Sequence, residues 1–95
     1  FIFITDEFPE LVRLAADVGM FTQTLMLALE NQGIGSCPQT SVSCFPDMVR
    51  EELGVADNFK LLLGISFGYV DETDGANNFR SERDPLEKTT TFHSA

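Results

Sequence analysis

Two of the six basic residues in the chain, Arg80 and Arg83, stand close together in a stretch otherwise rich in carboxylates. A guanidinium is well shaped to grip a phosphate through two parallel hydrogen bonds, so this pair is the candidate anion-binding element. A second candidate is Gly35-Ser-Cys-Pro-Gln-Thr-Ser41, where small residues and exposed amides at a strand end can hydrogen-bond a planar ring. The third is Gly64-Ile-Ser-Phe-Gly-Tyr69, a strand with one face of nearly bare backbone. Glycine inside a strand weakens it unless something approaches the backbone closely, either a packed helix or a flat ligand. For each arginine the alternative role is a structural ion pair.

The rest of the inventory argues against side-chain catalysis. No GxSxG, GxGxxG, P-loop or HExxH pattern occurs, and the one histidine, His93, lies near the chain end. Cys37 and Cys44 have neither zinc-site nor CxxC spacing, and two free thiols in a reducing cytoplasm is the favoured reading. The adjacent acids Glu51-Glu52 and Asp71-Glu72 read as solvated faces. No catalytic or metal-ligating residue is assigned, so any redox chemistry has to come from a cofactor. Fifteen acidic residues against six basic ones give a net charge of −9, which repels phosphate backbones and anionic lipid. Nucleic acid and membrane surfaces are therefore excluded as expected partners. The longest apolar run, near Leu25–Leu29, falls short of the roughly 20 residues that a bilayer needs, and the first residues carry no secretory leader pattern.

The elements that must position these candidates are legible from periodicity. Phe1–Thr5 is β-branched and apolar, long enough for one buried strand. Asp6–Pro9 breaks it, with Pro9 suited to the first turn of a helix. Leu11, Leu14, Val18, Phe21, Leu25 and Ala28 recur at helical spacing, and Gly33 is placed to cap the end. About 23 residues at 1.5 Å each predict a helix of roughly 35 Å. Met20, Met26, Leu27 and Leu29 lie off the seam, so this is read as a central helix facing another subunit. Ile34–Ser43 reads as a short strand opening into a loop, and Pro46–Leu53 as a helix ended by Gly54. Phe59–Val70 is the clearest strand, with Phe59, Leu61, Leu63, Ile65, Phe67 and Tyr69 on one face. An Asp-Gly turn follows within Asp71–Asn78, and Thr89–His93 extends as a terminal strand or arm.

A chain of 95 residues is one small domain or part of a larger one. At this size it buries roughly 60–70% of its unfolded surface, which is marginal without a partner. Its apolar content of 43%, nine phenylalanines included, exceeds what so small a body can hide and points to an interface. The abrupt opening on a strand suggests that further sequence lies upstream.

The order of blocks adds a resemblance. Asp17-Val-Gly-Met-Phe-Thr-Gln-Thr-Leu-Met-Leu-Ala-Leu29, Gly33-Ile-Gly-Ser-Cys-Pro38, Val49-Arg-Glu-Glu-Leu-Gly54, Leu62-Leu-Gly-Ile-Ser-Phe-Gly-Tyr69 and Asn78-Phe-Arg-Ser-Glu-Arg83 resemble the C-terminal half of the nitroreductase superfamily. The resemblance implies an α+β fold, with a long dimer-interface helix packed on a β-sheet. It implies residues 1–95 as the C-terminal part of a single domain whose N-terminal half is absent. It further implies an intertwined homodimer, FMN at its interface, and NAD(P)H as electron donor in ping-pong reduction of a nitroaromatic or quinone. Carried over, Pro38, Gln39, Thr40 and Ser41 match the loop along the flavin ring, and Arg83, helped by Arg80 or Ser81, matches the phosphate contact. Gly19, Phe21 and Gln23 fall on the helix lining the dimer interface. The competing reading is a non-catalytic α+β dimerisation module that has lost flavin.

Overall fold

The structure, a computed structural model, describes residues 1–5 and 10–94. The break at Asp6–Pro9 and the placement of Pro9 in a helical turn lie outside the described residues. Three strands form one antiparallel sheet in the order β1-β3-β2, namely β1 (Ile2–Thr5), β2 (Gly35–Gln39) and β3 (Phe59–Gly68). Three helices accompany them, α1 (Leu11–Asn31), α2 (Pro46–Leu53) and the single turn α3 (Leu86–Thr89). The architecture is α+β, as the resemblance implies.

β3 holds the centre because it is the longest of the three strands, largely apolar, and pairs on both edges. Against β2 the register is regular, from Gly35 opposite Gly68 to Gln39 opposite Gly64. Against β1 it shifts between Ile2 and Phe3, leaving Leu62 as the extra residue of a bulge. The bulge explains why burial along β3 does not alternate simply. Leu61 and Gly64 are both buried, and Leu62, Leu63 and Ile65 are all half-buried. The bare face of the strand accordingly divides in two. A Cβ at Gly64 would lie 3.3 Å from Val42 Cγ2 and 3.6 Å from the Phe1 ring, whereas one at Gly68 would meet nothing within 4 Å. Close packing holds at one end, and the other end is open.

Both longer helices stop on glycine. Gly33 at φ +72 and Gly54 at φ +64 adopt the left-handed conformation that a Cβ disfavours. At the first, Gly33 N–H donates to Glu30 O at 2.9 Å and Ile34 N–H to Leu29 O at 3.0 Å, the paired bonds of a Schellman end. That end turns the chain directly from α1 into β2. At the second, Val55 N–H donates to Arg50 O at 2.9 Å. Arg50 then ties α2 to β3. Its guanidinium, with 16% of the side chain exposed, pairs with Asp47 and donates from Nη1 to Phe59 O at 3.1 Å.

α1 has 21 residues, close to the expected length, but its inner face differs from the seam read in the sequence. Leu14, Val18, Thr22, Leu25 and Leu29 turn inward, while Leu11, Phe21 and Ala28 are exposed. Only Thr22 is buried, and its hydroxyl has no hydrogen-bond partner among the described residues. The sheet is too narrow to cover more of the helix, so Val12, Met20, Phe21 and Leu27 face outward. With a mean hydropathy of 1.2 over its best window, α1 is long and apolar enough to cross a membrane by length and composition alone. The short run at Leu25–Leu29 understated this. Arg13, Asp17, Gln23 and Glu30 along the same helix place charge and amide groups on a face that hydrocarbon would not tolerate.

The whole is open rather than compact. The radius of gyration is 17.0 Å, against roughly 12 Å for a compact domain of this length. The accessible surface is 7950 Å², about 2,500 Å² above that of a compact monomer of the same mass. Among the described residues the buried hydrophobic core is confined to Ile4, Val49 and Leu61. Two substitutions test the divided face of β3 by the midpoint of chemical denaturation. Gly64→Val should cost about 1–3 kcal/mol by overpacking against Val42 and Phe1, while Gly68→Val should stay within about 0.5 kcal/mol.

Candidate functional site

The β2–β3 ladder carries the residues singled out in the sequence, and it separates them. Pro38 and Gln39 close β2, and Thr40 and Ser41 lead into a 3-10 turn over Ser41–Cys44. All four are exposed. The Thr40 carbonyl is occupied, accepting from Ser43 N–H at 3.0 Å and Ser43 Oγ at 2.7 Å. The side chains of Gln39, Thr40 and Ser41 make no hydrogen bond among the described residues and remain available to a ligand. β2 is an edge strand, so the backbone of its outer edge is equally available.

A cleft of about 580 Å³ lies at the other end of the ladder. It is lined by the paired Gly35 and Gly68 and by Phe67, Tyr69, Asn77 and Arg80. A Cβ at Gly35 would fall 2.6 Å from Val70 Cγ2, so the exposed Val70 side chain would have to shift to admit one. Four residues of strand separate Gly35 from Gln39, or about 13 Å. The loop and the cleft are therefore two ends of one elongated surface along β2.

The two arginines do not act together. Arg80 lines the cleft and has no ion pair among the described residues. Arg83 is folded onto its own segment, donating from Nη1 to Ser81 O and Glu82 O, each at 3.2 Å, and to Ser81 Oγ. Ser81 is thereby spent on Arg83. The Asp84 carboxylate pairs instead with Lys88 at 2.8 Å, so no Arg83–Asp84 contact competes for the guanidinium. Glu30 and Asp71 also border the cleft, and their charges outweigh Arg80. A phosphate held there needs further donors from outside this chain.

Sequence reasoning missed the cleft wall built by Glu30, Tyr69 and Asn77. Tyr69 follows the last residue of β3, Gly68, and both it and Phe67 are exposed, at 86% and 67%. Asp71 is exposed, in keeping with a solvated acid, and its carboxylate also accepts from Thr73 N–H at 2.9 Å and Thr73 Oγ1 at 2.7 Å. The signal was the Asp-x-Thr spacing, which favours a side-chain-closed turn. Cys37 and Cys44 are both free and exposed, and no cluster suited to a metal occurs among the described residues. A smaller recess of about 360 Å³ beside α2 is bordered by the carboxylates of Asp47, Glu51 and Asp57, with Arg50 already committed to Asp47 and Phe59.

Comparison with known proteins decides the lineage. The sequence profile of the nitroreductase family matches residues 6–69. The chain belongs to the nitroreductase family. It is 54% identical over 80 residues to nitroreductase NfnB of Mycolicibacterium smegmatis, covering 84% of this chain and 34% of that protein. It is 36% identical over 76 residues to a 4-nitrobenzoate reductase of Pseudomonas putida, covering 80% and 34%. The crystal structure of the FMN-dependent nitroreductase NfnB from Mycobacterium smegmatis, in complex with NADPH, superposes with a TM-score of 0.88 at 47% identity, over 97% of this chain and 40% of that one. The FMN- and NADPH-dependent NfnB from Sphigopyxis sp. strain HMH gives 0.86 at 30% identity, over 98% and 41%. The nitroreductase fold is thus shown, and the chain spans about a third of the length of the curated relatives it matches.

Asp71 offers a direct check on the local geometry. Hydrogen bonds from the Thr73 hydroxyl and amide favour its charged form and lower its pKa below 3.8. A depressed folded value means that this contribution is present above the ordinary carboxylate pKa and is lost as pH falls through the folded one. Titration of the Asp71 side chain by NMR should give a midpoint below 3.8, moving upward in Thr73→Val.

Proposed function

We propose that this chain supplies the C-terminal part of an FMN-dependent nitroreductase that uses NADPH to reduce nitroaromatic compounds, and quinones by the same route. The observation that carries the reading is the agreement of sequence and fold, over nearly the whole chain, with relatives described as FMN- and NADPH-dependent. The surface along β2 fits such a cofactor in kind. It offers an open backbone face at Gly68, unpartnered polar side chains at Gln39, Thr40 and Ser41, and a cation at Arg80.

Flavin mononucleotide, when bound, supplies a two-electron carrier between the nicotinamide and the nitro or quinone group. The part played by the chain is to hold and orient. Pro38 has no N–H and stiffens the entry to the loop, so the amides of Gln39, Thr40 and Ser41 keep a fixed path beside a planar ring. Arg83, released from Ser81, and Arg80 provide charge-assisted donors to the phosphate. These donors cannot complete a phosphate site beside Glu30 and Asp71, which is why the remaining contacts belong to the N-terminal portion of the domain. No side chain here is assigned an acid, base or nucleophile.

A homodimer is part of the proposal. The outward apolar face of α1 and the open surface of the chain are of the size an obligate interface buries, on the order of 2,000 Å² or more. A cytoplasmic location is also part of it, supported by the two free thiols.

Titration with FMN, followed by flavin fluorescence quenching, tests the reading. The 95 residues alone should bind weakly. Once the N-terminal portion is supplied, FMN should bind, and Arg83→Ala should weaken it by roughly ten- to a hundredfold. Equal affinity of the variant would remove Arg83 from the site, and failure to bind at all would favour the non-catalytic module.

A further inference from the structure

We infer that Asp71–Asn78 is a pre-formed elbow that fixes the direction in which the C-terminal arm leaves the sheet, with Asp71 as its positioning residue. The inference rests on order without burial. Every residue from Ser66 to Ser94 is exposed, so little packing on the sheet determines where the arm runs. Nearly the whole chain nevertheless superposes on the mycobacterial relative. Something local must set the course.

The local hydrogen bonds do so. The Asp71 carboxylate holds Thr73 through both its amide and its hydroxyl. The Asp71 carbonyl accepts from Asp74 N–H at 3.3 Å and from Asn77 Nδ2 at 2.8 Å, clamping the start of the loop to its end. Asp74 repeats the device one step on. Its carboxylate accepts from Ala76 N–H at 2.9 Å, and its carbonyl from Asn77 N–H at 3.0 Å and Asn78 Nδ2 at 3.4 Å. Each such bond is weak in water, but together they close two short turns around Gly75, where the backbone would otherwise have the most freedom. Phe79 and Arg80 follow immediately. The arm therefore presents Phe79 and Phe92, 77% and 80% exposed, in a set direction before anything covers them. Part of the ordering entropy of that contact is removed in advance.

The test compares wild type, Asp71→Ala, Asp71→Asn and Asn77→Ala in the full chain, by amide hydrogen exchange and by trypsin cleavage after Arg80, Arg83 and Lys88. In Asp71→Ala and Asn77→Ala, exchange at Thr73 and Asn77 should quicken about tenfold and arm cleavage about three- to tenfold, with β3 exchange unchanged. Asp71→Asn keeps an oxygen that accepts from Thr73 and should stay within about twofold of wild type. Arm cleavage and exchange unaltered in both alanine variants would overturn the inference. So would an equal acceleration in β3, which would mark a general loss of stability rather than a loosened elbow.

Discussion

The double pairing of β3 is the interaction on which the rest of the structure depends. Its antiparallel ladders to β1 and β2 join residues about 60 and 30 positions apart in sequence. Long-range pairing of this kind has to repay the entropy of closing both loops, which a long, largely apolar strand paired on both edges can do. Everything placed around the candidate site follows from it. The regular register with β2 brings Gly35 against Gly68 and sets the loop after Gln39 beside the covered end of the strand. The bulge at Leu62 turns burial from one face to both and leaves Gly64 packed under Val42 and Phe1.

The same sheet is too small for the apolar surface attached to it. Of the strands, β2 is the one packed against α1, and the arm beyond Asp71 stays exposed. The exposed phenylalanines at positions 21, 45, 67, 79 and 92 are residues whose burial lies elsewhere. Hydrophobic surface on this scale is rarely left to water by a stable protein. The curated relatives that the chain matches are about two and a half times as long as it is. The candidate site, too, is partial. Its ring-side loop, its open backbone at Gly68 and its arginines are each present, while the charge balance of the cleft calls for donors the chain does not have.

Most elements were legible because their signals are local. The left-handed glycines at 33 and 54, Pro46 opening α2, and the apolar run of β3 each act within a few residues. What the sequence obscured depended on partners distant in the chain. The inner stripe of α1 runs through Thr22 rather than Phe21, because the position of β2, not hydrophobicity alone, selects the face. The bulge at Leu62 has no signature of its own, and without it the division between Gly64 and Gly68 could not be foreseen. Arg80 and Arg83 share a short motif but are parted by the serine between them, which captures one guanidinium. Asp84 turned to Lys88 because a single turn of helix sets those two side chains on one face.

The central claim is that this chain is stable only when its outer surfaces are covered, as the proposed dimer would cover them. Sedimentation velocity on the purified chain at micromolar concentration, read together with its far-ultraviolet circular dichroism, tests this most directly. The account predicts that ordered protein sediments as a dimer or larger species, and that dilution which yields monomer also removes the secondary structure. A monodisperse monomer of 10.5 kDa that keeps its helix and unfolds cooperatively would contradict it.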